Sequence, residues 1–191
     1  MHAQQAVISA LQMQTKIKAM QLDFTILGIA NVAAGIGIHT GEMNVGDMGS
    51  DYRRAYTVLG DAVNLGSRLE SLTKYYGVKI LVSEDTKQQC PDIAFRYIDY
   101  VRVKGKKEAI KIYEPVFEKE AITDAQTLEL KAHNDSFIHY KKGNWETAQK
   151  LFEIQLQDTG ETLYQLYLTR VKELQATPPK DWDGVHTHQL K

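Results

Sequence analysis

Tyr56-Thr57-Val58-Leu59-Gly60-Asp61-Ala62-Val63-Asn64-Leu65-Gly66-Ser67-Arg68 is the stretch whose reading decides the fold. Its first four residues, three of them aromatic or β-branched, suit the end of a strand. Asp61 is a suitable N-cap for a helix running to about Tyr76, and Gly77 ends it as a C′ glycine does. On that helix Asn64 and Arg68 are four residues apart, so their side chains share one face. Such a pair alone is ordinary on a solvated helix. Its weight comes from the strand, glycine and cap that precede it.

Four further blocks lie at set distances from this one. Gly35-Ile36-Gly37-Ile38-His39-Thr40-Gly41 and Asn44-Val45-Gly46-Asp47-Met48-Gly49-Ser50 stand upstream. Gly77-Val78-Lys79-Ile80-Leu81-Val82-Ser83 and Val103-Lys104-Gly105-Lys106-Lys107-Glu108 follow. In this order the blocks resemble the catalytic domain of class III adenylate and guanylate cyclases of the bacterial adenylate cyclase type, covering its C-terminal portion only. The resemblance implies an α+β fold: a partial, ferredoxin-like βαβ-type domain with a mostly antiparallel sheet, followed here by an α-helical hairpin.

It also implies roles. Asn64 would hold the ribose in line, and Arg68 would meet the negative charge that builds on the phosphate oxygens as the 3′-oxygen closes on the α-phosphorus. A planar guanidinium presents forked donors of fixed charge, and a preorganised donor of this kind contributes about 3 kcal/mol. Thr57 occupies the position at which the family reads the purine, and a Thr there goes with adenine; guanine readers usually carry other residues. Lys104 opens a basic turn at the family's phosphate-binding position, and Arg53 stands where cyclases often direct an Arg at the terminal phosphates, with Arg54 an equal contender. The ordinary alternatives are a β-branched strand residue for Thr57 and a solvated charged turn for Lys104.

The same resemblance marks what the chain does not contain. The family holds two Mg²⁺ or Mn²⁺ ions with two aspartates, both upstream of Met1 by this alignment, as is the lysine that helps select adenine. Asp23-Phe24-Thr25-Ile26 has the wrong residue order to replace them. Cyclase sites form between two domains, one giving the aspartates and the other the Asn, Arg and Lys. The expectation is therefore part of an adenylate cyclase converting ATP to cAMP and diphosphate, with Mg or Mn in the complete enzyme, none bound by this chain, weak or absent ATP binding, and no activity alone. Its partner would be a second copy or another cyclase domain. The alternative is a non-catalytic module that pairs with an intact cyclase. Either way the remaining strands present an open edge, for which Phe24, Ile26, Leu27 and Ile29 are candidates to provide cover.

Around these blocks, residues 4–22 carry apolar residues at helical intervals, and residues 23–32 are compatible with a strand, a short helix or an apolar loop. Residues 33–39 and 43–46 suggest a hairpin. Ser83 caps a short helix, and strands over 95–103 and 109–115 flank the basic turn. The domain division is 4–117 for the truncated catalytic domain, 118–176 for a glycine-poor helical extension resembling one tetratricopeptide-like unit, and 177–191 for an irregular tail. Trp145, Ala148, Leu151 and Phe152 against Phe137 and Tyr140 suggest a hairpin that covers itself.

Composition excludes several classes. A net charge of −1 over 191 residues offers nothing to nucleic acid or an anionic membrane. The lone Cys90 forms no internal disulfide and suits a reducing, cytoplasmic setting, although a longer protein could be anchored through a segment upstream. No leader or membrane segment is legible. Gly35, Gly37 and Gly41 have the wrong spacing for a dinucleotide fingerprint, and His186 with His188 lacks a third metal ligand.

Overall fold

The computed structural model describes residues 2–30, 32–50, 53–102 and 108–187, without the side chains of Ser50, Arg53 and Arg54. A mixed sheet forms its middle layer. The strands are β1 (Ile36–Ile38), β4 (Ile80–Ser83), β6 (Ile110–Glu118), β5 (Ile93–Arg102) and β7 (His186–Thr187), side by side in that order. β1 runs parallel to β4 and β7 parallel to β5, while β4–β6 and β5–β6 are antiparallel. A separate two-stranded ribbon joins β2 (Asn44–Ser50) to β3 (Arg53–Leu59).

Alternate residues of β4 separate the two cores. Leu81 faces a core built from α3 (Asp61–Tyr76) and three C-terminal helices, α5 (Asp124–Lys141), α6 (Trp145–Thr159) and α7 (Thr162–Ala176). Ile80 and Val82 face the other side, where Ala3, Val7 and Ala10 of α1 (His2–Ala19) pack. Cys90 is buried in that second core and donates to Thr86 O at 3.1 Å, just past the short helix α4 (Glu84–Gln88). Ser83 caps α4 as expected, accepting from the Thr86 amide.

Several expectations are corrected. The helix predicted over 4–22 is two: α1 ends at Ala19, and α2 (Gln21–Ile26) follows. Residues 33–39 do not form a hairpin with 43–46. β1 instead pairs with β4, and β2 takes β3 as its partner. The glycines of β1 serve a close approach rather than a turn. A Cβ at Gly37 would collide with the backbone of Gly66 and Glu70, and one at Gly35 with Thr73 Oγ1. The N-cap of α3 is Gly60, φ 152°, and Asp61 is its first residue.

Nor does the apolar segment after α1 cover β1. Ile26 and Leu27 are 74% and 72% exposed and Ile29 is 47% exposed, while Phe24 is half-buried. Polar side chains tie the segment down instead: Gln14 and Gln21 donate to the carbonyls of Ala34 and Val32 at 2.8 and 2.7 Å. A cavity of about 530 Å³ remains between these helices and residues 32–33.

The C-terminal helices number three and do not close on themselves. Phe137, Tyr140, Phe152, Tyr164 and Tyr167 share one core with Leu65, Leu69, Leu72 and Tyr76 of α3. Trp182, in the tail, donates to Tyr140 O at 3.2 Å and packs edge-on to Trp145. No helix of the described residues is long and apolar enough to cross a membrane.

Candidate functional site

The strand-to-helix reading of residues 56–68 agrees with the structure. β3 leaves the ribbon at Leu59, Gly60 turns the chain, and Asn64 N closes the first helical hydrogen bond to Gly60 O at 3.2 Å. Leu65, Leu69, Leu72 and Tyr76 lie on the inward stripe of α3. That spacing directs Asn64 to solvent and leaves Arg68 half-buried on the same face. The helix can lie this close to β1 because Gly37 has no side chain where β1 meets the backbone of Gly66 and Glu70.

Thr57 stands exposed on β3 opposite Gly46, seven residues before Asn64. Between them, at the root of the ribbon, Glu42, Met43, Asn44, Leu59 and Gly60 line an open cavity of about 480 Å³. Arg53 begins β3 and pairs with Ser50, its side chain lying outside the description. Lys104 falls outside the described residues, between the end of β5 at Arg102 and the start of β6 at Ile110.

A hydroxyl, an amide and a guanidinium on one strand–helix unit can recognise a base edge, a sugar and a phosphate. They do not make a site for a divalent cation, which calls for carboxylates and carbonyls. Among the described residues there is no group of three or more His, Cys, Asp or Glu placed to hold a metal ion. The site is steadied from behind. His39 Nδ1 lies 2.7 Å from Ser83 Oγ, and Thr40 Oγ1 lies 3.0 Å from Thr86 Oγ1, tying the end of β1 to α4.

The structure adds residues outside the family pattern. Asp99 is 1% exposed on β5 and bonds Arg170 of α7 and Tyr76 of α3. His133 of α5 is equally buried, bonded to Tyr164 OH and to Tyr97 O. For Asp99 a signal exists in the sequence, the one carboxylate of β5, flanked by Ile98 and Tyr100.

Comparison with known proteins bears on the family and the fold. The adenylate and guanylate cyclase catalytic domain matches residues 1–114. An adenylate cyclase of Anabaena cylindrica is 43% identical over 118 residues, covering 60% of this chain and 23% of that protein. Adenylate cyclase 1 of Rhizobium meliloti is 37% identical over 116 residues, covering 60% and 17%. The chain thus spans about a quarter or less of these relatives. Among solved structures, the adenylyl cyclase CyaB of P. aeruginosa matches with a TM-score of 0.56 and 32% identity over 63% of this chain and 62% of that one. The guanylyl cyclase Cya2 follows at 0.53 and 31%, over 63% and 61%.

Proposed function

This chain belongs to the adenylate and guanylate cyclase catalytic domain family, and from that premise we propose that it supplies the nucleotide-holding half of an adenylate cyclase site. The observation that carries this reading is the presentation of Asn64 and Arg68 on one accessible face of α3, entered directly from the strand that bears Thr57.

In the reaction the ribose 3′-oxygen forms a bond to the α-phosphorus, the bond from that phosphorus to the bridging oxygen breaks, and diphosphate leaves. Negative charge grows on the non-bridging oxygens. The guanidinium of Arg68 meets it, Asn64 holds the sugar, and Thr57 selects the adenine edge. Lys104 and Arg53 reach for the polyphosphate tail. The divalent cations of the family do not fit the donors gathered at this site, which are an amide, a hydroxyl and cations, and no metal-holding group stands among the described residues. They belong to residues supplied from elsewhere, so this chain works only against a second cyclase domain and is silent alone.

A second reading, a non-catalytic module that pairs with an intact cyclase, draws on one face of the ribbon, where Val45, Tyr56 and Val58 stand 54%, 76% and 37% exposed. Such a row of apolar side chains suits a partner surface. Nucleotide preference discriminates the two. In a mixture with a cyclase domain that retains its aspartates but lacks its own Asn and Arg, the catalytic reading predicts cyclic product from ATP at least tenfold faster than from GTP, and loss of that ratio in Thr57→Ala. Equal use of both nucleotides, unaltered by Thr57→Ala, contradicts it.

A further inference from the structure

The register of β5 against β6 shifts between Tyr97 and Asp99. A bulge leaves its extra residue without a ladder partner. Here two carbonyls at the shift are taken up from outside the sheet. The ring of His133 on α5 bonds Tyr97 O, and the hydroxyl of Tyr167 on α7 donates to Ile98 O at 2.7 Å. Among the described residues β7 pairs with β5 only at Val101 and Arg102, and the helices cover the stretch of that edge around the bulge.

Asp99 follows the bulge and gathers three elements on one carboxyl group. Tyr76, the last residue of α3, donates its hydroxyl to Oδ2 at 2.7 Å. Arg170 Nη1 on α7 donates to the same oxygen at 2.6 Å, while Nη2 lies 3.2 and 3.4 Å from the hydroxyls of Tyr75 and Tyr76. The Arg170 guanidinium also lies 4.9 Å from the centre of the Tyr167 ring. The start of α7 touches the same helix end, since Thr162 fills the space where a Cβ of Gly77 would be. A buried ion pair is a weak source of stability compared with apolar packing. What it does provide is direction, because a forked guanidinium and a carboxylate meet in few orientations.

Direction at this point is transmitted along α3. Asn64 is twelve residues from Tyr76, about 18 Å along a stiff helix, so a swing of about 10° at the C-terminal end displaces it by about 3 Å. Misplacement of a reacting group by about 1 Å can cost about 10²-fold in rate.

We infer that Arg170 is a positioning residue for the nucleotide-holding face of α3: acting through Asp99 and Tyr76, it sets the angle of that helix against β5. The C-terminal helices, which lie beyond the part matched to the catalytic domain, thereby belong to the working site. This inference rests on the reading of Asn64 and Arg68 given above.

The test uses the full chain carrying Asp99→Leu and Arg170→Met together, which removes both charges at similar volume, beside Arg170→Lys. Amide hydrogen exchange across residues 61–76 and cAMP formation in the mixture are measured. The double variant is expected to unfold cooperatively near the parent's urea midpoint. Exchange in the Asn64–Arg68 turn should rise at least tenfold and kcat fall at least tenfold, with KM for ATP within twofold, and Arg170→Lys should be intermediate in both. A folded double variant with parental exchange in α3, or with faster exchange and parental kcat, overturns the inference. If the parent mixture makes no cAMP, faster exchange retains the control of α3 and removes the nucleotide reading. If the double variant does not fold, Arg170→Lys and Tyr76→Phe carry the same measurements.

Discussion

Arg68 and Asn64 sit on a helix face that contributes nothing to the core, which makes their removal a clean experiment. Arg68→Ala should lower kcat in the mixture by about 10²–10³-fold, the size associated with one preorganised donor to developing negative charge, and leave the urea midpoint unchanged. A large fall in stability instead would mean that the residue is structural. His133 offers the opposite case. Burial holds its imidazole down to about 3, whereas the unfolded chain titrates near the ordinary value of about 6.5. Between those values the unfolded chain carries a proton that the folded chain refuses, so stability falls as pH drops below about 6.5, by at most about 1.4 kcal/mol per pH unit. Glu114, pushed up by burial despite its contact with Arg96, titrates with the opposite sign. The comparison with His133→Gln isolates the histidine: urea unfolding at pH 7, 6 and 5 should show a shallower decline in the variant, and an identical decline would contradict the assignment. Of these residues, the shared helix face of Asn64 and Arg68 was legible because its context is local. His133 was not, since its partners Tyr97 and Tyr164 lie 36 and 31 residues away.

Among the elements, α3 is the one the sequence displays most fully, with its left-handed Gly77 terminus and its helical spacing both present in the structure. The pairing of β1 was not legible. Alternation and a following turn suggest a hairpin equally well, and only the crossing of α3 over Gly35 and Gly37 explains why β1 lies beside β4. Gly37→Ala tests that explanation. Its new methyl has backbone on both sides, and urea unfolding should show a loss of about 3 kcal/mol, at the upper end of overpacking effects; a loss below about 0.5 kcal/mol would place the crossing elsewhere. Similarly, Tyr167→Phe strips the donor from Ile98 O at the bulge of β5 and leaves a buried carbonyl unmet, at a cost of about 1–3 kcal/mol. The bulge itself was illegible because register shifts depend on the partner strand and on what covers the edge.

At the scale of the whole molecule, the helices of the C-terminal third are built into the fold rather than appended to it. The aromatic contacts of Phe137 with Phe152 and Tyr167, and the single core that includes Leu65 and Leu69, show this. Their helical character was plain from composition, but periodicity does not say what the apolar face will meet. Arg170→Ala, which leaves the Asp99 carboxylate buried without its cation, should destabilise the entire chain by about 3–5 kcal/mol in urea unfolding, and a loss confined to α7 would refute that unity. β1 is an edge, and the ribbon presents Val45, Tyr56 and Leu59 to solvent. A partner domain that brings aspartates and divalent cations would meet the exposed face of α3. The most direct measurement is cAMP formation from Mn²⁺-ATP by this chain alone, by a cyclase domain that keeps its aspartates but lacks its own Asn and Arg, and by the two mixed. Product in the mixture alone, abolished by Arg68→Ala in this chain, is the predicted result. A silent mixture, or equal product from this chain by itself, would contradict the account.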